Sequence, residues 1–218
     1  MTAYRAAPGK GRAAGVLLIQ EIFGVNESMR ALADEYSRAG HPTLCPDLFW
    51  RQQSNVMLSD RSEAERAQAM TLFQRFDETL GLSDLGHALQ RLRSDPECDG
   101  RVVVIGYCLG GRLAVAMSAQ ANITAVVAYY PVGLDHRDEL LANVAAPLLV
   151  HLGEADPLVP ANARTKIVRG LAVHRDTKVI VHANAGHAFA RRGGMGYQAA
   201  QAAEADRATA NFLARSLA

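Results

Sequence analysis

The sequence predicts an α/β fold in which helices flank a mostly parallel central sheet. Three observations carry this prediction. Short apolar runs of strand length alternate with longer helix-forming segments along the chain, which is typical of parallel strands joined by crossover helices. The length of 218 residues suits one domain of this kind. A glycine-flanked turn at residues 106–111 also joins a β-branched run directly to a helical one.

The predicted elements follow in order along the chain. The strands are apolar runs at residues 16–20, 42–45, 101–105, 125–129, 148–152 and 177–181. The helices are longer segments of good helix formers at residues 28–39, 62–76, 83–93, 109–121, 161–171 and 198–215. Gly40 should end the first helix, and Ser83 should cap the third, with Asp84 in its acidic first turn. Residues 1–14 are weakly patterned and leave room for one short edge strand.

Composition favours a single domain, residues 1–218, that acts on small molecules. The chain has no internal repeat and no low-complexity linker to mark a domain boundary. Its formal charge is +1, from 23 basic and 22 acidic residues. Because the basic residues are scattered, neither a nucleic acid nor an anionic membrane is an expected partner.

The three cysteines are Cys45, Cys98 and Cys108, an odd number with no CxxC pair. This pattern argues against a disulfide framework and a zinc site, so no metal is expected. No apolar run reaches the roughly 20 residues that span a bilayer, and the first residues lack a signal-peptide core. We therefore expect a soluble protein of the reducing cytoplasm.

The GYCLGG segment at residues 106–111 has the form of a nucleophile elbow. In such an elbow a strand turns sharply into a helix, and the middle residue is held in strained geometry at the top of the strand. Gly106 and Gly110 should be needed beside it to avoid steric clash. Cys108 is thus the predicted nucleophile of an α/β-hydrolase fold, whereas Cys45 and Cys98 should be buried structural thiols or inert loop thiols.

A thiol reacts as thiolate, and its ordinary pKa of about 8.5 means that a base must assist it. In this fold the acid and then the histidine follow the nucleophile, each on a loop after a later strand. Asp156 and His187 match that order, with Glu154 as the rival acid. The backbone N–H of Leu109 should bind an oxyanion. A second N–H is expected from the loop after the first long strand.

Three segments together resemble the dienelactone hydrolase (carboxymethylenebutenolidase) family. They are QEIFGVN at 20–26, GYCLGG at 106–111 and GHAFAR at 186–191. Further matches extend over nearly the whole chain: CPDL at 45–48, RAQA at 66–69, Phe73, Phe76, YY at 129–130, VGL at 132–134 and GY at 196–197. Similarity to the family gives Cys108, His187 and Asp156 the roles of nucleophile, base and orienting acid.

The resemblance also implies roles that composition and spacing do not assign. Glu21 matches a family glutamate that contacts the resting thiol and takes part in its activation, and Ile22 would supply the second oxyanion N–H. Arg66 and Arg191 match two arginines that hold the substrate carboxylate, a task that suits the planar guanidinium group. Arg192 could replace its neighbour. The other implied pocket residues are apolar or aromatic, namely Phe23, Tyr130, Phe73 and Met70.

From the residues alone, two of these assignments have plain alternatives. Glu21 could equally be a solvated loop residue, because a carboxylate beside a thiol disfavours thiolate. Arg66 could be a solvent-facing helix residue paired with Glu63 at the i,i+3 spacing.

The chain departs from the family pattern at three pocket positions. Ala188 replaces a serine after the histidine, Met70 stands where we align a tyrosine, and Phe73 replaces a tryptophan. A lost hydroxyl removes a hydrogen bond worth about 0.5–1.5 kcal/mol, so these changes bear on the substrate and not on the triad. The start is also shorter than the family pattern, which predicts one missing edge strand.

The resemblance implies hydrolysis of a small anionic enol-lactone of the dienelactone type, in aromatic-compound degradation, through a thioacyl intermediate on Cys108. No metal or organic cofactor is expected, and the chain should be a monomer or a homodimer. One alternative is a broader carboxylesterase or thioesterase with the same triad. Another is a non-catalytic binding or redox-sensing protein in which Cys108 is an accessible thiol.

Overall fold

The computed structural model describes residues 1–9, 11–120 and 122–218. Within them, seven strands form one sheet in the order β1-β3-β2-β4-β5-β6-β7. Their bounds are β1 Ala3–Ala6, β2 Ala13–Ile19, β3 Thr43–Pro46, β4 Cys98–Tyr107, β5 Ala125–Tyr129, β6 Leu148–Gly153 and β7 Thr177–His182. Strand β1 is antiparallel to β3, whereas the pairs β2–β3, β5–β6 and β6–β7 are parallel. The predicted α/β fold with a mostly parallel sheet is confirmed, and β1 is the short edge strand expected before residue 14.

The helices of the described chain are α1 Glu27–Arg38, α2 Glu63–Gln74, α3 Glu78–Arg93, α4 Leu109–Met117, α5 Asp138–Ala142, α6 Ala161–Leu171 and α7 Ala199–Leu217. Asn26 caps α1 by accepting the backbone N–H of Met29 at 3.2 Å. Helix α4 is shorter than predicted and ends at Met117, while its predicted end, Ala121, lies outside the described residues. The short α5 has no counterpart in the sequence prediction.

The predicted start of the third helix is wrong. Helix α3 begins at Glu78, where Asp77 caps it by accepting a first-turn N–H at 3.0 Å. Asp84 lies inside the helix and accepts the indole N–H of Trp50 at 2.9 Å, and it also pairs with Arg51. Burial by itself would raise the pKa of Asp84, but Arg51 and Trp50 together hold it below its ordinary value. Tertiary partners therefore bind the carboxylate that the local pattern placed in the first turn of the helix.

The chain divides into two compact units, Met1–Val104 and Ile105–Ala218, and the division falls inside β4. In the first unit, Arg5 of β1 donates two hydrogen bonds to Asp95, at 2.7 and 2.9 Å. Cys45 and Cys98 are both buried in this unit. Burial raises the pKa of the Cys45 thiol, as expected of a structural thiol.

In the second unit, β5, β6 and β7 are parallel, with Tyr129 opposite His151 and Gly153 opposite His182. Helix α4 packs against β5, α6 against β7, and α7 against both β5 and β6. Because the strands are parallel, their carboxyl ends lie at one edge of the sheet, and the loops that follow them can share a site. None of the described helices has the length and apolar character needed to cross a membrane.

Candidate active site

Cys108 lies on a turn of strained backbone between β4 and α4. Its φ is 54° and its ψ is −112°, a conformation that non-glycine residues rarely adopt. A Cβ at Gly106 would lie 2.0 Å from the carbonyl oxygen of Gly110, and one at Gly111 would lie 2.8 Å from that of Tyr129. The backbone N–H of Cys108 donates to the same Tyr129 oxygen at 3.0 Å. The elbow is present, and crowding by backbone explains the glycines at 106 and 111.

The side chains of Cys108, His187 and Asp156 form one hydrogen-bonded chain. His187 Nε2 lies 3.3 Å from Cys108 Sγ, and His187 Nδ1 lies 2.8 Å from Asp156 Oδ2. Asp156 is 2% exposed, and its other oxygen accepts the backbone N–H of Leu158 at 2.8 Å. The structure thus brings together the three predicted residues, in the geometry of a nucleophile, a base and an orienting acid.

Glu154, the rival acid, is engaged elsewhere. Its side chain is exposed, and Oε2 accepts the backbone N–H of Asn184 at 3.0 Å. Of the two carboxylates on this loop, only that of Asp156 has a described bond to the His187 imidazole.

The surroundings of His187 favour a protonated imidazole. Burial by itself lowers the pKa of His187, but hydrogen bonds to Asp156 and Cys108 and the charges of these groups outweigh burial and raise it to about 10. An imidazolium 3.3 Å from Sγ can stabilise a thiolate, which is the reactive form of cysteine.

Leu109 begins α4 directly after the nucleophile and is fully buried. N–H groups in the first turn of a helix have no acceptor within the helix and lie at the positive end of its dipole. The N–H of Leu109 therefore suits the oxyanion role predicted for it.

Aromatic rings pack around the imidazole. Tyr130 directly follows β5, is fully buried and has a φ of 37°. Its ring centroid lies 5.1 Å from that of His187 and 5.5 Å from that of Phe189. Its backbone N–H donates to the carbonyl oxygen of His151 at 2.7 Å. Tyr130, a predicted pocket residue, thus lies against the candidate base.

The two arginines after His187 have different surroundings. Arg192 is exposed and forms a salt bridge with Asp206 of α7 at 2.8 Å. Arg191 is half-buried and packs over Gly194, where an added Cβ would lie 2.4 Å from Arg191 Nε. Arg192 is thus bound to α7, and the role of Arg191 in binding a substrate carboxylate stays a prediction from the resemblance.

Six further predicted residues belong to the first unit, and three of them follow β2. Glu21 is 3% exposed, Phe23 is buried and Ile22 is half-buried. Gln20 fixes this turn, because its amide donates to the Glu21 carbonyl and accepts the N–H of Leu48, both at 3.2 Å. The burial of Glu21 contradicts the alternative of a solvated loop residue.

The other three predicted residues lie on α2. Arg66 is exposed, and its guanidinium donates to the backbone carbonyl of Asp60. Met70 is 45% exposed and Phe73 is half-buried. Their roles in substrate binding stay predictions that rest on the resemblance.

A buried polar cluster between the sheet and α7 was not predicted from the sequence. His151 Nδ1 lies 3.0 Å from His182 Nε2, and His151 Nε2 lies 3.0 Å from Thr209 Oγ1. Thr209 Oγ1 in turn lies 2.7 Å from the Tyr129 hydroxyl, and His182 Nδ1 lies 3.3 Å from Glu204. Burial and then the charge of His182 lower the pKa of His151 to about 3. The cluster ties α7 to β5, β6 and β7.

Within residues 1–9, 11–120 and 122–218, no group of three or more His, Cys, Asp or Glu side chains is arranged to hold a metal ion. A cleft of about 570 Å³ is lined by α5 and α6, including Leu141 and Lys166, and by Val173 after α6, and none of its lining residues belongs to the triad.

Fold and site together define the class of protein. In an α/β-hydrolase, the nucleophile lies on a strand-turn-helix elbow, and the acid and the histidine follow it on loops after later strands. This chain has the same arrangement. Residues 1–217 match the model of the dienelactone hydrolase family. The chain therefore belongs to the dienelactone hydrolase family and is a hydrolase of lactone or ester bonds.

Individual relatives agree with this assignment. A carboxymethylenebutenolidase of Pseudomonas putida is 38% identical over 208 residues, covering 95% of this chain and 88% of the relative. Carboxymethylenebutenolidase 1 of Cupriavidus pinatubonensis is 34% identical over 212 residues, covering 97% and 90%. A crystal structure from Klebsiella pneumoniae subsp. pneumoniae MGH 78578, provisionally named a dienelactone hydrolase, has a TM-score of 0.85 at 23% identity and covers 97% of this chain and 92% of that one. At that identity the likeness establishes the fold alone.

Proposed function

We propose that this protein hydrolyses a small anionic enol-lactone of the dienelactone type through a covalent intermediate on Cys108. The observation that carries the proposal is the continuous contact from Asp156 through His187 to Cys108, at 2.8 and 3.3 Å. The carboxymethylenebutenolidases that are 38% and 34% identical to this chain support a lactone as the substrate class.

In the first half-reaction, the Cys108 thiolate attacks the lactone carbonyl carbon and a C–S bond forms. The carbonyl oxygen takes up the negative charge, which the N–H of Leu109 stabilises. The ring C–O bond then breaks, and the leaving enolate oxygen takes a proton from the His187 imidazolium. The acyl group remains on Cys108 as a thioester.

In the second half-reaction, water attacks the thioester carbonyl while neutral His187 takes a proton from it through Nε2. Collapse of the intermediate breaks the C–S bond and releases the carboxylic acid. Cys108 leaves as thiolate and His187 is again an imidazolium. Asp156 bonds to Nδ1, so Nε2 stays directed at the sulfur.

The proposal that the substrate is an anion depends on Arg66 and Arg191. These are the two arginines that the resemblance assigns to the substrate carboxylate. Arg192, the neighbour that could replace Arg191, forms a salt bridge with Asp206. The resemblance likewise supports Glu21 in control of the resting thiol. It also supports Ile22 as the second oxyanion donor and Phe23, Phe73 and Met70 as pocket residues.

The test compares kcat/KM for an anionic enol-lactone with kcat/KM for its neutral methyl ester. A charge-assisted hydrogen bond contributes about 1.5–3 kcal/mol, so we expect at least a roughly tenfold preference for the anion. Arg191→Gln should reduce this preference, since only Arg66 would then remain for the carboxylate, and the matched Arg192→Gln should keep it. Equal values in the parent enzyme would exclude the anionic lactone and favour a broader carboxylesterase or thioesterase. No hydrolysis across a lactone and ester panel would favour a binding or redox-sensing protein.

A further inference from the structure

The loop that carries His187 has strained backbone on both sides of the histidine. Asn184 and Ala188 have φ values of 57° and 59°, in the left-handed region that few non-glycine residues adopt. Such conformations persist only where the surrounding structure holds them. Something outside the loop must therefore fix its backbone.

The side chain of Gln198 bonds to this loop through both atoms of its amide. Oε1 accepts the backbone N–H of Gly186 at 2.8 Å, and Nε2 donates to the carbonyl oxygen of Asn184 at 3.1 Å. The backbone N–H of Gln198 also donates to the carbonyl of Phe189 at 2.9 Å. One residue thus binds the loop backbone both before and after His187.

The place of Gln198 in the fold supports a role beyond packing. It is the N-cap residue of α7, yet its side chain makes no capping bond to that helix. Ser, Thr, Asp and Asn are the residues that normally cap a helix, and glutamine is not among them. Helix α7 therefore has no side-chain cap, and the Gln198 amide bonds to the loop of His187 instead.

We propose that Gln198 is a positioning residue for the reaction, which holds the loop so that His187 Nε2 faces the sulfur of Cys108. The inference rests on the proposed function, since it assigns Gln198 a task only if His187 is the base. Gln198 acts through the backbone of Asn184 and Gly186 and has no described contact with the reacting atoms.

Gln198→Met keeps the length of the side chain and removes both hydrogen bonds to the loop. A misplacement of about 1 Å can cost on the order of 100-fold in rate, so we expect kcat to fall about 10- to 100-fold with KM nearly unchanged. The matched control is Gln201→Met on the same helix, whose amide has only a 3.4 Å contact with the loop, at Ala183. An equal loss in both variants would mean general loosening of α7 and would overturn the proposal.

Gln198→Glu tests the positioning role through the pH dependence of kcat, which should not change if Gln198 only packs against the loop. As a carboxylate, Glu accepts from Gly186 but faces the Asn184 carbonyl without a proton to donate, whereas a protonated Glu can make both bonds. Because the ordinary pKa of Glu is about 4.3, kcat of this variant relative to the parent should rise several-fold between pH 8 and pH 5. Gln198→Met should show no such rise. A pH-independent ratio for Gln198→Glu would contradict the proposal.

The position of the imidazole can be read without any substrate, by NMR titration of His187. If Gln198 positions the ring, the pKa of His187 in Gln198→Met should move from about 10 toward its ordinary value, because its bonds to Asp156 and Cys108 raise it. An unchanged titration together with unchanged kcat would refute the role of Gln198. Hydrolysis that survives in Cys108→Ala would instead refute the proposed function, and the titration would still report on Gln198.

Discussion

The Nε2 atom of His187 lies 3.3 Å from the sulfur of Cys108, although the two residues are 79 positions apart in the chain. The contact joins the helix-initiating turn after β4 to the loop after β7. Because Asp156 holds the opposite nitrogen at 2.8 Å, the imidazole is fixed at both ends.

Cys108→Ala should lower hydrolysis of the lactone at least about 1,000-fold, because the attacking atom is lost while the oxyanion donors remain. The measurement is kcat/KM on protein shown to be folded by circular dichroism. Alkylation by iodoacetamide should label Cys108 before the other two cysteines, since both are fully buried. Labelling of Cys45 or Cys98 first would contradict this assignment.

Asp156→Asn keeps the shape of the acid and removes its charge. Loss of the orienting carboxylate should lower kcat by about 100- to 10,000-fold. The pKa of His187 should also fall from about 10, since the bond to Asp156 is a leading cause of its rise. Glu154→Gln is the control, because Glu154 bonds to the Asn184 backbone and has no described bond to His187. A larger loss in the control would assign the orienting role to Glu154.

Gly106→Ala should destabilise the protein, because the new methyl group would lie 2.0 Å from the carbonyl oxygen of Gly110 and backbone would have to move. We expect about 1–3 kcal/mol or more in urea unfolding, as for other overpacked sites. Gly86→Ala is the matched control, since a Cβ there meets nothing within 4 Å inside α3. It should stabilise the protein by about 0.5–1 kcal/mol. Similar effects of both changes would show that the turn is not crowded.

Stability should fall below about pH 6.5 because of His151. Burial and then the His182 charge lower its folded-state pKa to about 3, whereas the unfolded chain has an ordinary pKa of about 6.5. Between these values the unfolded state binds the additional proton, so stability is lost as pH falls, by up to about 1.4 kcal/mol per pH unit. Urea midpoints between pH 4 and 8 measure this slope. His151→Gln should flatten it, and an unchanged slope would assign the effect to other groups.

His187 should act in the opposite direction above about pH 6.5. Its folded-state pKa is raised to about 10, so the folded state binds the additional proton between pH 6.5 and 10. Its contribution to stability is therefore complete below pH 6.5 and is lost as pH rises toward 10. Asp156→Asn should reduce the alkaline loss seen in urea midpoints. A parent protein with the same midpoint at pH 7 and pH 9.5 would contradict the prediction.

The features that the sequence determined by itself depend on local patterns. The elbow at residues 106–111 could be predicted because its glycines, the β-branched strand before it and the helix formers after it are adjacent in the chain. The order of nucleophile, acid and histidine could likewise be matched to the fold, because each candidate follows a recognisable strand. These assignments needed no knowledge of contacts between distant segments.

The tertiary structure alone decided which competing side chains meet. Asp156 and Glu154 lie on one loop, and only the folded positions of His187 and Asn184 show that the first bonds to the imidazole and the second to backbone. The local pattern places Asp84 in the first turn of a helix that starts at Ser83, because that pattern does not report the sequence-distant Trp50 that bonds to the carboxylate. No sequence pattern predicted the role of the Gln198 amide, because its partners Gly186 and Asn184 lie 12 and 14 residues earlier, in a different element. A hydrogen bond depends on distance and direction in space, and sequence patterns report only the local part of that geometry.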